Sequence, residues 1–255
     1  MKKLALALAA VAAFSGQAFA ADMGRPYTKA PVAVPVAYNW TGCFIGAGAG
    51  YGWYNTESTQ VVPATGAFVV SEGTSGGRGW LGNVQGGCDY QFSGPMGNWV
   101  IGAFADYSFM DVKGDHIGVP LTTGVGPLKQ DYAWAAGARI GYLVNPTFLT
   151  YFNAGWTQTH FKQVDYLNFG TLLPNGFSLP GSTYDGWFIG SGFEYQLSFL
   201  PGLFLKSEYR YSQFDRKQIN NIATATGLPT GTAETVKPFT QSLLTSVVYR
   251  FNFGR

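Results

Sequence analysis

Only two cysteines, Cys43 and Cys88, occur in 255 residues, and no histidine or further cysteine stands at ligand spacing from either, which excludes a zinc site. Histidine is as scarce, with His116 and His160 alone. Charge is thin, at 12% Asp, Glu, Lys and Arg, and long hydrophobic runs are missing. Past residue 20 no segment reaches the ~18 uninterrupted apolar residues of a membrane helix, so the chain either folds in solution or spans a bilayer as strands. Helix-favouring runs of Ala, Leu, Glu and Lys are absent past the same point, whereas Gly (35), Phe (20) and Tyr (15) abound. That composition leans to strands. The glycines form no nucleotide-binding loop, because Gly46-x-Gly48-x-Gly50 continues into a strand pattern and not into a helix.

What is present begins with an address. Residues 1–20 have a basic start (Lys2, Lys3), an apolar core over 4–14 and the small-x-small ending Ala18-Phe19-Ala20. This predicts a secretory signal cleaved after Ala20, its apolar run being short of the ~20 residues of a spanning helix. Of 16 bases against 14 acids, loss of Lys2 and Lys3 leaves fourteen of each, so the basic isoelectric point does not imply nucleic acid as a partner. The compartment addressed is oxidising. Residues 21–38, with Pro26, Pro31 and Pro35, read as an extended, flexible lead-in, and 39–255 as one domain.

The plan of that domain is clearest over 186–211. Trp187, Ile189, Phe193 and Tyr195 alternate with Gly190, Gly192 and Glu194; after a Pro-Gly turn, Leu205, Tyr209 and Tyr211 alternate with Lys206, Glu208 and Arg210. Period two means strand, and two such runs about a turn predict a hairpin with one greasy and one charged face. The same alternation predicts strands over 40–53, 80–92, 99–109, 131–143, 148–159 and 241–253. The count is eight. Connections alternate long (55–79, 111–129, 160–183, 212–239) and short.

A soluble sandwich would bury the apolar face. Loops sorted by length instead predict an all-β, eight-stranded antiparallel up-and-down transmembrane barrel, with short periplasmic turns and long extracellular loops. Trp53, Trp80, Trp99, Trp134, Trp156 and Trp187 share the apolar parity of their strands, mostly near strand ends, as interfacial girdles require. The opposite parity collects Asp89, Asp106, Glu194 and Glu208 with Arg139, Lys206, Arg210 and Arg250. Four acids and four bases predict a paired network filling the lumen, since eight strands enclose only enough room for side chains.

With these residues placed, the chain resembles the small outer-membrane β-barrel family of alphaproteobacteria, the porin-family or outer-membrane immunogenic proteins. The matching segments are Trp40-Thr41-Gly42 with Gly46, Arg139-x-Gly141-Tyr142, Gly186-Trp187 through Glu194-Tyr195, Leu205-Lys206-x-Glu208-Tyr209-x-Tyr211 and Tyr249-Arg250-Phe251. The resemblance spans nearly all of the mature chain. Phe104 stands where the family usually has an acid and Gly137 where it has a second arginine, so one charge of each sign is lost together. Phe253-Gly254-Arg255 replaces the usual terminal aromatic, and the alternation of Tyr249, Phe251 and Phe253 is expected to support insertion. Cys43 replaces a usual aromatic and faces the strand of Cys88. A cross-strand disulfide and two free lipid-facing thiols are both open.

The resemblance implies a non-catalytic surface protein of the Gram-negative outer membrane, contributing to envelope integrity and presenting immunogenic loops. Its implied partners are outer-membrane lipid and lipopolysaccharide, the outer-membrane insertion machinery and a host or surface ligand met by the loops. Alternatives are a narrow porin for small solutes, and loop-mediated capture of a ligand such as haem, for which His116 and His160 are the histidines at hand. No cofactor is otherwise implied. An enzyme would need an acid/base set at the outer rim, where sequence offers Asp115 beside His116 and Asp165 near His160; no catalytic residue is assigned.

Overall fold

A computed structural model describes residues 38–65, 68–118 and 124–252. The expected signal (1–20), the lead-in up to residue 37 and the closing Phe253-Gly254-Arg255 lie outside the described residues.

Among the described residues there are eleven strands: β1 (Gly42–Val61), β2 (Phe68–Gly94), β3 (Gly97–Ile117), β4 (Val125–Asn145), β5 (Phe148–Phe161), β6 (Val164–Leu167), β7 (Pro174–Leu179), β8 (Ser182–Gln196), β9 (Leu203–Phe214), β10 (Lys217–Ala223) and β11 (Pro229–Phe251). Eight of them close a ring in the order β1-β2-β3-β4-β5-β8-β9-β11, with β11 returning to β1. Every pairing in the ring is antiparallel. The fold is an eight-stranded antiparallel β-barrel, in which each of the eight ring strands is paired on both sides.

The loops assigned to 55–79, 111–129, 160–183 and 212–239 require correction, because most of each is strand. β2 runs for 27 residues and β11 for 23, against the ~9–11 that a tilted strand needs to cross a bilayer. Beyond β5, β8 and β9 the ring continues through β6, β7 and β10: β4 pairs β6, β6 pairs β7, β7 pairs β10 and β10 pairs β11. The barrel wall therefore carries on past the membrane. The physical reason is cooperative pairing: once the membrane part has set the register, each further residue adds a ladder hydrogen bond without a new loop to close. Past the membrane the outer face meets water instead of lipid, so the greasy alternation that reveals a strand disappears there.

Glycines on the inner face make the lumen roomy enough for large side chains. A Cβ on Gly192 would stand 2.5 Å from the Tyr151 hydroxyl, and one on Gly155 2.9 Å from the Phe188 ring. Phe104 and Phe188 pack edge to face with centroids 6.0 Å apart. Phe188 also reaches the space over Gly137, where a Cβ would lie 2.8 Å from its ring.

Two buried apolar clusters occupy the interior. One contains Trp40, Phe44, Val100, Phe104, Tyr151, Phe188 and Phe204; the other contains Tyr54, Leu128, Phe161, Tyr166, Tyr184 and Phe214. The second is built from the strand extensions. Cys43 and Cys88 are directly paired across β1 and β2 and joined in a disulfide. Unreduced folded protein is expected to yield no alkylatable thiol and to change gel mobility on reduction. Two alkylated cysteines with unchanged mobility would contradict the bond.

Candidate functional site

β8 and β9 pair so that Glu194 faces Lys206, Gly192 faces Glu208 and Gly190 faces Arg210. Over this stretch the charged side chains point into the lumen, and Glu194, Lys206 and Glu208 are buried. The eight charged residues singled out in the sequence gather there as two electrically neutral groups of four.

The first group joins four strands in a closed ring. Arg139 on β4 donates from Nε to Asp89 Oδ1 at 2.8 Å, from Nη2 to Asp89 Oδ2, and from Nη1 to Glu194 Oε1 at 2.5 Å. Arg250 on β11 donates from Nη1 to Asp89 Oδ2 at 2.6 Å and from Nη2 to Glu194 Oε2 at 2.5 Å. Two acids each meet two bases, and none of the four side chains is more than 1% exposed. Charge-assisted bonds of this kind compensate desolvation only when every partner is present.

The second group is arranged along β9. Arg210 donates to Asp106 on β3 at 3.1 and 2.7 Å, and to Glu208 Oε1 at 3.0 and 2.7 Å. Lys206 stands 3.0 Å from Glu208 and donates to Gln85 at 2.6 Å. Tyr151 donates its hydroxyl to Glu208 Oε2 at 2.9 Å, and Asn83 donates to Asp106 at 3.2 Å.

Aromatic rings separate the charges from one another. The Arg139 guanidinium lies 4.5 Å from the Phe44 ring, that of Arg210 4.5 Å from Phe188 and that of Arg250 4.6 Å from Trp40. Such stacking favours arginine over lysine. The pairing of Phe104 with Phe188, whose ring also lies over Gly137, fills this part of the lumen with apolar surface.

The strand expected over 40–53 begins instead at Gly42, so Trp40 precedes β1, and the strand pattern gave it no role. It is fully buried. Its backbone N–H donates to Gln91 at 2.8 Å, its Nε1–H donates to the Pro146 carbonyl at 3.2 Å, and its ring lies 4.7 Å from Phe204. Tyr38, the last residue of the expected lead-in, packs edge to face on Phe204 at 5.0 Å and donates to Asn252 at 3.1 Å. The sequence signal available was parity: six tryptophans follow the outward set of a strand, and Trp40 stands outside it.

The six strand tryptophans lie outward. Trp80 is 70% exposed, Trp156 49% and Trp187 44%; Trp53, Trp99 and Trp134 are half-buried by neighbours on the same face. Trp80 meets Tyr51, and Trp99 meets Tyr142, each at 5.3 Å.

The histidines do not form the acid/base pairs that sequence proximity offered. His116 is fully buried on β3, and its Nε2 lies 3.1 Å from Glu234 Oε2 on β11, not against Asp115. Tyr166 of β6 donates to the other Glu234 oxygen at 2.8 Å. Burial, reinforced by the Glu234 charge, pushes the Tyr166 phenol well above its ordinary range, so it remains a donor. His160 Nδ1 lies 2.6 Å from Asp131 and its ring stacks on Tyr132. Asp165 instead accepts from Gln163 and from Ser178, which hold its carboxyl below the usual range. The connection expected over 111–129 includes His116; the strand extension buries it instead.

A closed antiparallel ring with apolar aromatics outward and neutralised charge inward defines an integral outer-membrane β-barrel. Residues 6–251 match the model of the outer membrane protein beta-barrel domain family, and the chain belongs to that family. It is a small outer-membrane β-barrel protein of the alphaproteobacterial type, located in the Gram-negative outer membrane. It is 30% identical over 220 residues to a 25 kDa outer-membrane immunogenic protein of Brucella ovis, covering 85% of this chain and 92% of that one. It is 28% identical to a 31 kDa outer-membrane immunogenic protein of Brucella melitensis, covering 84% and 89%. The outer membrane protein OprG from Pseudomonas aeruginosa shares the fold with a TM-score of 0.52 at 16% identity, over 84% of this chain and 98% of that one.

Proposed function

We propose that this protein is a closed, non-catalytic barrel that reinforces the outer membrane and meets its surroundings through its outer end, in the manner of an immunogenic surface protein. The observation that carries this reading is the plugged lumen: two neutral groups of four charges, interleaved with Phe44, Phe104, Tyr151 and Phe188, fill the cross-section. A conducting pore needs polar side chains that leave water between them. Here the guanidiniums are committed to carboxylates and rings.

The same packing opposes the narrow-porin alternative. His116 has its Nε2 engaged by Glu234 and no exposed surface, which opposes its use as a haem ligand. The outer tips favour a surface role: Phe169, Leu172, Leu173, Phe177 and Leu228 are exposed around the turns 168–173 and 224–228. Exposed apolar side chains gathered at an outer end suit a host or surface ligand. Outer-membrane lipid surrounds the tryptophan girdle, lipopolysaccharide meets the outer rim, and the insertion machinery delivers the chain.

Planar-bilayer recording of the purified, folded protein tests the reading. No conductance steps above the bare-membrane baseline are expected. Regular single-channel steps from the wild-type protein would overturn it in favour of the porin.

A further inference from the structure

Directly beyond the outward aromatics, four neighbouring elements carry one base each. Arg78 on β2 pairs with Lys113 on β3, and Lys113 pairs with Lys129 on β4. The Lys162 N–H, immediately after β5, donates to the Lys129 carbonyl at 2.8 Å. All four residues follow the outward parity, Lys129 being the most shielded of them. Adjacent strands lie ~4.8 Å apart, so the row extends over roughly 15 Å of the outer surface.

The height of the row follows from its neighbours. Trp80 lies two residues from Arg78 toward the membrane, and Trp53 pairs with Arg78 itself. On β3 the outward run Trp99, Ile101, Ala103, Ala105, Tyr107, Phe109 ends just before Asp111 and Lys113. Interfacial aromatics mark the headgroup level, so the bases stand where lipid phosphates stand.

The charges are unequally committed. Lys113 and Lys129 share Asp111, at 2.9 and 2.5 Å. Among the described residues Arg78 and Lys162 make no ion pair. Asp115 is exposed beyond Lys113, and Asp131 is taken by His160. On the far side of the ring Asp185 and Asp215 are exposed, but beside the exposed bases Arg216 and Lys217, so the charge there is mixed. The β2–β5 flank therefore concentrates four bases, two of them without an acidic partner among the described residues.

The geometry points to a docking site for a phosphorylated lipid headgroup of the outer leaflet on the β2–β5 flank, held by Arg78, Lys113, Lys129 and Lys162. This rests on the lipopolysaccharide contact of the reading above and assigns it to one face of the barrel. Asp111 competes with the lipid phosphate for Lys113 and Lys129.

The test titrates the folded full-length protein, in zwitterionic detergent micelles, with lipopolysaccharide and with its dephosphorylated form, and reads tryptophan fluorescence. Arg78→Gln/Lys162→Gln is expected to weaken binding of the phosphorylated lipid ~30-fold, at about fivefold per base near the surface. Arg216→Gln/Lys217→Gln, which removes two exposed bases elsewhere, is expected to leave it within a factor of about two. Asp111→Asn is expected to tighten it about fivefold by removing the one competing charge, an opposite sign that a general loss of structure does not produce. Equal affinity for the dephosphorylated lipid, or equal loss in the two double variants, overturns the assignment. If Arg78→Gln/Lys162→Gln fails the heat-shift gel, Asp111→Asn decides: unchanged or weakened binding overturns the site. Conductance is independent of all these outcomes, so failure here leaves the closed-barrel reading standing on its own test.

Discussion

Replacing Glu194 or Arg139 with alanine is expected to lower the stability of the folded barrel by up to ~3–5 kcal/mol, less where water enters the vacated space. The cause is uncompensated charge. Without Glu194, Arg139 and Arg250 are left to share Asp89; without Arg139, Asp89 and Glu194 are left to share Arg250. Either way a like-charged pair faces one partner inside a compartment that solvent scarcely reaches. Removing both together, Arg139→Ala with Glu194→Ala, leaves Asp89 and Arg250 as a neutral pair. The double variant should therefore cost clearly less than the sum of the two singles, the signature of residues acting as a unit. Thermal and urea midpoints of detergent-folded protein, with heat-shifted gel migration, measure this. Unchanged resistance in both single variants would remove the network from the account of stability.

Trp40→Ala is expected to cost ~3–5 kcal/mol, the usual range for deleting a fully buried large aromatic. Trp40 closes the end of the lumen opposite the strand extensions. Its ring rests on Phe204, carries the Arg250 guanidinium on its face and donates to the Pro146 carbonyl. Its loss uncovers one base of the closed ring and admits water to it, so the penalty combines lost packing with weakened ion pairs. Trp40→Phe keeps a ring over Arg250 and should recover most of the loss. Equal denaturation midpoints for Trp40→Ala and wild type would show that the segment before β1 is not part of the folded core.

The membrane-spanning part of the barrel was legible because lipid imposes a simple rule. Every outward residue over a span must be apolar, so Trp99 to Phe109 and Tyr132 to Tyr142 display period two without interruption, and the inward set is left to carry Asp106 and Arg139. The lumen residues were legible for the same reason: parity assigns Glu194, Lys206, Glu208 and Arg210 to one side before any partner is known. Outside the bilayer the rule lapses. Gly, Thr, Ser and Pro in 55–79 and 212–239 look like loop when neither face is uniformly greasy, and β1, β2 and β11 were cut short accordingly. His116 shows this most, falling in the expected connection 111–129 when it is a buried strand residue bonded to Glu234, 118 positions away.

By itself, then, the sequence determined the strand alternation, the sense of the barrel with aromatics outward, and the neutral total of its inward charges. It did so because each rests on local order or on summed composition. Tertiary structure alone decided which acid meets which base, since Asp89 and Arg250 are 161 residues apart and meet only when β11 closes on β1. It decided that Cys43 and Cys88 fall in the same register pair, that Trp40 turns inward, and that Arg78, Lys113, Lys129 and Lys162 stand in one row. Register across neighbouring strands fixes each of these, and register is a property of the closed ring.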